Sequence, residues 1–165
     1  MKKLELPKVG LRNIKTALAV FICMTLFEIL DRESGFFACI AAVVCMKDTI
    51  ENSYSIGKDR IIGTLTGGVI GIILLLIISH SEVTYSFKSM ITSIGIILSI
   101  YIFTVLKRPS AVTTSCIVIL SIICNHSRND SLSYAVIRIV DTFLGVMIAI
   151  LINKYITPPK KEMET

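Results

Sequence analysis

Long runs of apolar residues, separated by short polar loops, dominate this sequence. A membrane-spanning helix needs about 20 apolar residues, and about 17 at the low end. Of the 165 residues, 53% are hydrophobic and 18% are charged, whereas soluble domains carry about 25% charged residues. The sequence therefore predicts an all-α, polytopic membrane helix bundle. Its six predicted transmembrane helices lie at about residues 13–31, 35–47, 61–79, 88–106, 110–125 and 134–155.

One polar segment between these spans is long enough to form structure of its own. In "KDTIENSYSIGKD", Asp48 is followed three residues later by Glu51, as in a helix capping box, and apolar residues share one face. This pattern predicts a short amphipathic helix on the membrane surface at about 48–58. Residues 1–157 then form one transmembrane domain, and residues 158–165 form a short cytoplasmic tail.

Basic residues are distributed unevenly between the loops. A cytoplasmic N-terminus puts 13 of the 17 Lys and Arg residues on the cytoplasmic side and leaves Arg32, Lys88, Arg128 and Arg138 outside. This distribution predicts a multi-pass protein of the cell (plasma) membrane with both termini cytoplasmic. The net charge of +5 is explained by that topology and by anionic membrane lipid, so no nucleic acid partner is expected.

A four-part pattern recurs at the start of four spans. A basic residue is followed by Thr at plus four, a small residue at plus seven and an aliphatic residue at plus ten. The basic residues Arg12 and Lys88 are 76 positions apart, and Arg60 and Arg138 are 78 apart. A duplicated unit of three helices explains these spacings, and an odd number of helices gives the two units opposite orientations in the membrane. The sequence thus predicts two inverted three-helix repeats, an architecture found in many secondary transporters.

These four basic residues stand where electrostatics favours an acid, because a helix N-terminus already carries partial positive charge. Free N–H groups and a basic side chain together form an anion-attracting mouth. The predicted topology puts Arg12 and Arg60 at the inner face and Lys88 and Arg138 at the outer face. Contacts with lipid headgroups and neighbouring acids explain the same residues without a ligand, so both interpretations stay open.

The second and fifth spans are short, and they occupy corresponding positions in the two halves. Short helices in matching positions of a repeat indicate a transport site. Phe36 and Phe37 are candidates for stacking on an aromatic or apolar ligand, and Thr113, Thr114 and Ser115 offer hydroxyl groups. The alternative is that these five residues only pack helices.

Acidic residues within or near the spans are rare. Glu28 and Asp141 are candidates for a proton relay. No cofactor and no metal site is predicted, because the five cysteines lie in apolar segments without a CxxC pair. The segment "GTLTGGVIG" lacks the Lys and Ser/Thr of a phosphate-binding loop, and no other motif indicates an enzyme.

Glycines in the third span follow a regular spacing. Gly63, Gly67 and Gly71 are four residues apart, a doubled small-xxx-small stripe that lets a neighbouring helix backbone approach closely in lipid. Gly95 and Gly145 occupy the small-residue position of the repeated pattern in two other spans. All five are predicted to serve helix packing.

Three segments resemble the membrane domain of the aromatic acid exporter family, within the broader group similar to fusaric acid resistance proteins: "GLRNIKTALAVF", "FFACIAAVVCMKDTIENSYSIGKDRIIGTLTGGVIG" and "RIVDTFLGVMIAILINKYITPP". The resemblance covers about residues 10–159. It implies a six-helix membrane domain, efflux of small organic anions such as aromatic carboxylic acids, and a homodimer.

The resemblance leaves two alternatives open. Plant malate channels resemble the same group, so an organic-anion channel is one of them. Longer family members continue after the Pro-Pro into a soluble cytoplasmic domain. The other alternative is therefore a truncated, non-transporting membrane module that assembles with a larger exporter.

Overall fold

The computed structural model describes residues 10–31, 35–79, 85–125 and 131–156. These residues form six α-helices and no strand, which confirms the all-α prediction. The helices are α1 (Leu11–Ile29), α2 (Phe36–Cys45), α3 (Ile50–Ser79), α4 (Tyr85–Val105), α5 (Pro109–Asn125) and α6 (Ser131–Tyr155). The predicted tail at 158–165 lies outside the described residues.

Three of the described helices are long and apolar enough to cross a membrane, which makes this a membrane-compatible helical protein. They are the segments Ile50–Ile78, Ser86–Val105 and Val136–Tyr155 of α3, α4 and α6. The helices α2 and α5 are shorter apolar helices. With 10 residues at about 1.5 Å per residue, α2 covers about half of a hydrocarbon core that is about 30 Å thick.

The third helix differs from its prediction. In place of a surface helix at 48–58 followed by a separate span at 61–79, α3 runs without interruption from Ile50 to Ser79. The junction "GKDRII" contains no proline, and a single glycine is not enough to end a helix. Arg60 therefore lies inside the helix, in its third turn.

This continuity removes part of the predicted anion mouth. Only the first four N–H groups of a helix lack an intrahelical acceptor. Arg12 and Lys88 lie within the first turn of α1 and α4, but Arg60 and Arg138 lie well beyond the first turn of α3 and α6. The backbone near these two arginines is hydrogen-bonded within its own helix, so their side chains alone are available for an anion.

Two helix pairs have the closest backbone approach. The glycine stripe of α3 packs on α5: a Cβ at Gly63 would lie 2.6 Å from the carbonyl oxygen of Ala111, and one at Gly67 would lie 2.6 Å from that of Ser115. In α6, a Cβ at Gly145 would collide with the carbonyl oxygen of Ala38 in α2. Glycine at these positions is what allows α3 to contact α5, and α6 to contact α2, backbone against backbone.

The other two packing glycines contact side chains. A Cβ at Gly71 would meet the Ile122 side chain of α5 at 2.9 Å, and one at Gly95 in α4 would collide with the Leu74 side chain of α3. The remaining helix contacts join α1 to α2 and α6, α4 to α3 and α5, α3 to α6, α2 to α3, and α5 to α6. The two central helices, α3 and α6, are thus each flanked by one short helix and one longer helix.

Buried positions recur at a fixed spacing along the chain. Three residues of α1 and the three residues 76 positions later in α4 are buried: Ala19 and Gly95, Cys23 and Ser99, Phe27 and Phe103. Five residues of α2 and its C-terminal end match five buried residues 77 positions later in α5: Ala38 and Ser115, Ala41 and Val118, Ala42 and Ile119, Cys45 and Ile122, Met46 and Ile123.

The turns that end α1 and α4 also match. Asp31 has φ 50° and Lys107 has φ 54°, and among the described residues these are the two non-glycine residues with positive φ. They are 76 positions apart. Each closes its helix with a residue in the left-handed region, which satisfies backbone groups at the helix end.

Candidate functional site: a buried cavity lined by two arginines

Arg60 of α3 and Arg138 of α6 line the same cavity, which has a volume of about 30 Å³. The sequence analysis put Arg60 at the inner face of the membrane and Arg138 at the outer face. That prediction is wrong, because two side chains that line one small cavity do not lie at opposite faces. The cause is the packing of α3 against α6, which brings the two arginines to one cavity. The other lining residues are Phe37, Ile40, Thr64, Thr114, Ile117, Val118 and Thr142.

The lining is arranged in corresponding pairs. Phe37 and Thr114 are 77 positions apart, and so are Ile40 and Ile117. Two further pairs, Arg60 with Arg138 and Thr64 with Thr142, are each 78 positions apart. Four of the six described helices contribute to the cavity, two from each half of the chain.

Arg138 is held tightly by its surroundings and is only 2% exposed. Its Cζ atom lies 3.1 Å from the centroid of the Phe37 ring and 5.7 Å from that of Tyr134. Its Nη2 donates a hydrogen bond of 3.1 Å to Oγ of Ser121 in α5. A cation above an aromatic face is stabilised by the ring quadrupole, and the stabilisation is largest where water is excluded.

Three guanidinium nitrogens of the two cavity arginines have no hydrogen-bond partner among the described residues. They are Nε of Arg60 and both Nε and Nη1 of Arg138, and all three nitrogens are buried. A buried donor without an acceptor costs about 1–3 kcal/mol, and more when the group is charged. Such donors are rare in folded proteins and call for an explanation such as a bound ion or ligand.

The charges around these donors do not cancel. Asp141 is 2% exposed and lies one helical turn from Arg138, with which it interacts electrostatically, while Arg60 repels Arg138. The other nearby acid, Asp59, accepts a hydrogen bond from Arg108 at the start of α5. Two guanidinium groups and one buried carboxylate therefore leave an excess of positive charge at the cavity.

The threonines of the repeated pattern bond to the backbone. The Oγ1 atom of Thr64 donates to the carbonyl oxygen of Arg60 at 2.9 Å, and that of Thr16 donates to Arg12 at 2.8 Å. Thr92 makes the same bond to the carbonyl oxygen of Lys88, at 2.8 Å. This bond from a Thr hydroxyl to the carbonyl four residues earlier is common in helices, and it explains the spacing of Thr from the basic residue.

The predicted hydroxyl group 113–115 and the predicted aromatic pair 36–37 do not stay together in the structure, because only one member of each lines the cavity. Thr114 lines the cavity, Ser115 instead shares a 2.7 Å hydrogen bond with Ser99 of α4, and Thr113 is exposed. Phe37 lines the cavity, whereas Phe36 is 59% exposed and contacts the edge of the Phe37 ring. Arg138 covers one face of the Phe37 ring.

The remaining candidates lie outside the cavity. Arg12 forms an exposed ion pair with Asp48, at 3.3 Å. Lys88 is partly exposed on α4, and Glu28 is exposed in the last turn of α1. Of the two acids predicted for a proton relay, Asp141 alone is close to the arginine pair.

Sequence analysis missed a second buried basic centre. Lys15 in α1 is 5% exposed and donates a hydrogen bond of 2.9 Å to Oδ1 of Asn153 in α6. The Nδ2 of Asn153 donates to Oγ of Ser53 at 2.9 Å and to the carbonyl oxygens of Lys47 and Thr49 at 3.0 and 3.2 Å. A lone Asn near the end of an otherwise apolar stretch of α6 was the available signal.

The fold and the cavity define a class: an all-helical protein with membrane-compatible helices and a buried, positively charged cavity between its two halves. The model of the family described as "Aromatic acid exporter family member 1" matches residues 7–156, and the chain belongs to this family. The family is named for export and not for an enzyme activity.

Curated relatives are similar over nearly the whole chain. The UPF0421 protein YgaE of Bacillus subtilis (strain 168) is 26% identical over 155 residues, which are 94% of this chain and 42% of that protein. UPF0421 protein SH1063 of Staphylococcus haemolyticus is 27% identical, with 92% and 44% covered, and UPF0421 protein BH2644 of Halalkalibacterium halodurans is 28% identical, with 93% and 41% covered. The chain thus spans less than half the length of these relatives. No solved structure matches it significantly.

Proposed function

We propose that this protein is a membrane transporter of small organic anions, aromatic carboxylates among them, and that the anion passes through the cavity between Arg60 and Arg138. Three buried guanidinium nitrogens without a partner among the described residues carry this proposal. A carboxylate supplies what those donors lack, because its two oxygens accept several charge-assisted hydrogen bonds. Family membership supports export as the direction.

An inverted repeat gives this cavity its place in a transport mechanism. If α1–α3 and α4–α6 are exchanged, the set of contacting helix pairs stays the same: α3 with α5 becomes α6 with α2, and α1 with α6 becomes α4 with α3. Matching buried positions and matching turn residues Asp31 and Lys107 support the same relation. In this proposal the cavity lies on the axis that relates the halves, which its paired lining residues support, and such an axis lies near the bilayer midplane in inverted-repeat transporters.

Rocking of one half against the other is the motion that this arrangement favours. The cavity in the present conformation is small and enclosed by residues of α2, α3, α5 and α6. Opening alternately between α2 and α6 or between α3 and α5 would expose the arginine pair to one side at a time. Asp141 then acts as the internal counter-charge of Arg138 when no substrate is bound, and Glu28 has no part in the path.

The cellular setting follows from the same proposal. We place the chain in the plasma membrane with both ends cytoplasmic, because six helices return the chain to the side on which it starts and most basic loop residues lie there. Apolar side chains on the outer faces of α1 and α4, such as Phe21, Ile97 and Tyr101, are exposed and suit contact with lipid or with a second copy in a homodimer.

Anion flux from proteoliposomes that contain only this chain tests the proposal. We expect uptake of labelled benzoate to fall sharply in Arg60→Gln and Arg138→Gln. Arg12→Gln is the matched control, because it removes the same charge from the same position of the repeated pattern but lies outside the cavity. Loss of flux in the control as well would contradict the proposal, and no flux from the parental chain would favour a non-transporting module.

Electrical recording on the same vesicles separates the exporter from the channel. A transporter that alternates between two open states gives slow, saturable flux, whereas a channel gives currents that scale with the anion gradient. Single-channel openings that depend on Arg60 would replace the exporter by the organic-anion channel while keeping the cavity as the path.

A further inference from the structure

The size of the cavity and the position of Phe37 say what the arginine pair binds and how it is kept ready. We propose that the cavity is a site for one carboxylate-sized anion, and that Phe37 is the positioning residue that holds Arg138 for it. This inference rests on the proposed function for the location of the anion path, and it adds the size class of the bound group and the role of Phe37.

The volume of the cavity determines the size of the anion that it can hold. One water molecule needs about 10–15 Å³ of such space, so a cavity of about 30 Å³ holds two water-sized centres. Two oxygens of one carboxylate fill that space, as formate does, and so does a single halide ion. An aromatic ring does not fit, so this conformation admits a small anion, and a larger acid enters only when the cavity opens.

The arrangement of the N–H donors of Arg138 indicates the role of Phe37. A buried arginine normally uses its fork of N–H groups on a carboxylate of the protein. Arg138 instead has its Cζ atom 3.1 Å from the centroid of the Phe37 ring and uses Nη2 for Ser121. This leaves Nε and Nη1 free of partners among the described residues. The Phe37 ring offers no hydrogen-bond acceptor oxygen, so it stabilises the cation through its quadrupole and leaves these donors available.

Phe37 has no aromatic counterpart in the other half. The corresponding residue is Thr114, and the position that corresponds to Ser121 in the first half is Val44. Arg60 therefore has no aromatic ring at position 114 and no hydroxyl group at position 44 to match the two contacts of Arg138. The site thus contains two arginines that are held differently. Arg138 is held by Phe37 and Ser121, and Arg60 lacks both of these contacts.

The test uses the purified chain in detergent, with formate as the probe and gluconate as the bulky control at equal ionic strength. A ligand that binds the folded state raises the temperature of unfolding as its concentration increases. We expect formate to raise it in a saturable manner and gluconate to leave it unchanged. We expect Phe37→Leu to weaken formate binding about tenfold, the effect expected from losing a cation–π contact in a desolvated site.

Matched variants separate positioning from packing. Phe37→Tyr keeps the ring face and should bind formate within about threefold of the parental chain. Phe36→Leu removes the neighbouring, exposed ring and should leave formate binding unchanged. If Phe37→Leu does not fold, Phe37→Met takes its place, because methionine fills a similar volume without a ring.

Several results would overturn the inference: no saturable effect of formate, equal effects of formate and gluconate, or parental formate binding by Phe37→Leu. A loss of binding in Phe37→Tyr equal to that in Phe37→Leu would also overturn the role of the ring. The proposed function fails separately. If formate binding depends on Phe37 but no benzoate flux is seen, this inference stands and the transport function is wrong. If benzoate flux depends on Arg60 but formate does not bind, the transport function stands and this inference is wrong.

Discussion

The molecule contains two buried basic centres, and they are satisfied in opposite ways. Lys15 donates to Asn153, which in turn bonds to the backbone and to Ser53, so the protein itself supplies the acceptors of that centre. The pair Arg60 and Arg138 keeps three guanidinium nitrogens without a partner among the described residues. The comparison teaches that burial of a basic residue does not by itself indicate a binding site. What distinguishes a site is the set of donors that the protein leaves for something else.

The two centres should therefore respond oppositely when they are altered. Changes at Lys15 and Asn153 should affect stability first, and changes at Arg60 and Arg138 should affect anion transport first. Four predictions test this contrast.

The largest effect is expected at the satisfied centre. Asn153→Leu removes the acceptor of Lys15 and leaves a buried ammonium group without its partner. Removing one partner from a buried charged network costs about 3–5 kcal/mol, so we expect a loss of that size in the free energy of unfolding measured by denaturant titration. The double variant Lys15→Met, Asn153→Leu should recover part of the loss. A double variant that is no more stable than Asn153→Leu would show that Lys15 is not the cause.

At the arginine cavity, flux should change and stability should not. We expect Arg138→Gln to lower benzoate flux at least about thirtyfold, which corresponds to about 2 kcal/mol, the low end of the cost of removing one partner from a buried hydrogen-bonded charge pair. Its free energy of unfolding should change little, because the loss of the interaction with Asp141 is offset by removal of two buried nitrogens without partners and of the repulsion by Arg60. If Arg138→Gln is destabilised but still transports at the parental rate, Arg138 serves stability and not transport, and the predicted contrast is wrong.

Two adjacent glycines on α3 test whether close helix packing forms the wall near the cavity. A Cβ at Gly67 would lie 2.6 Å from the Ser115 carbonyl oxygen, while one at Gly68 would meet nothing within 4 Å. We expect Gly67→Ala to destabilise the protein by about 1–3 kcal/mol through overpacking against a backbone atom. Gly68→Ala should be neutral or stabilising by up to about 1 kcal/mol, because Ala is the better helix residue. Equal unfolding midpoints for the two variants would contradict the packing shown by α3 and α5.

The smallest effect is expected on the surface. Arg12 and Asp48 form an ion pair with side chains that are 55% and 77% exposed. Exposed pairs contribute about 0–1 kcal/mol, so Arg12→Gln should change the free energy of unfolding by less than about 1 kcal/mol and leave flux within about twofold. A larger change in flux would show that the anion path begins at this residue.

Part of this architecture is readable from the sequence because local physics determines it. Apolar run length predicts the helices, and the basic residue with Thr at plus four marks a bond that the helix makes within itself. The glycine spacing on α3 predicts a face for close approach, and Gly63 and Gly67 do face the backbone of α5. Each of these features depends on residues within about one or two turns of each other.

The meeting of Arg60 and Arg138 is not readable in that way. Charge counting treats each loop separately, and it puts the two residues on opposite sides of the membrane. They line one cavity because α3 continues through "GKDRII" and because α3 packs against α6, and this packing is a tertiary contact that no local pattern specifies. The Lys15–Asn153 bond joins residues 138 positions apart, so no local pattern announces it.

A double-mutant cycle on benzoate flux tests the central claim most directly. Arg60→Gln, Arg138→Gln and the double variant are compared with the parental chain, using the flux at subsaturating benzoate. If both arginines hold one anion in one cavity, the double variant should be little worse than either single variant, because residues that act as a unit have non-additive effects. Losses that multiply in the double variant would mean that the two residues act at separate places, and the shared anion site would be wrong.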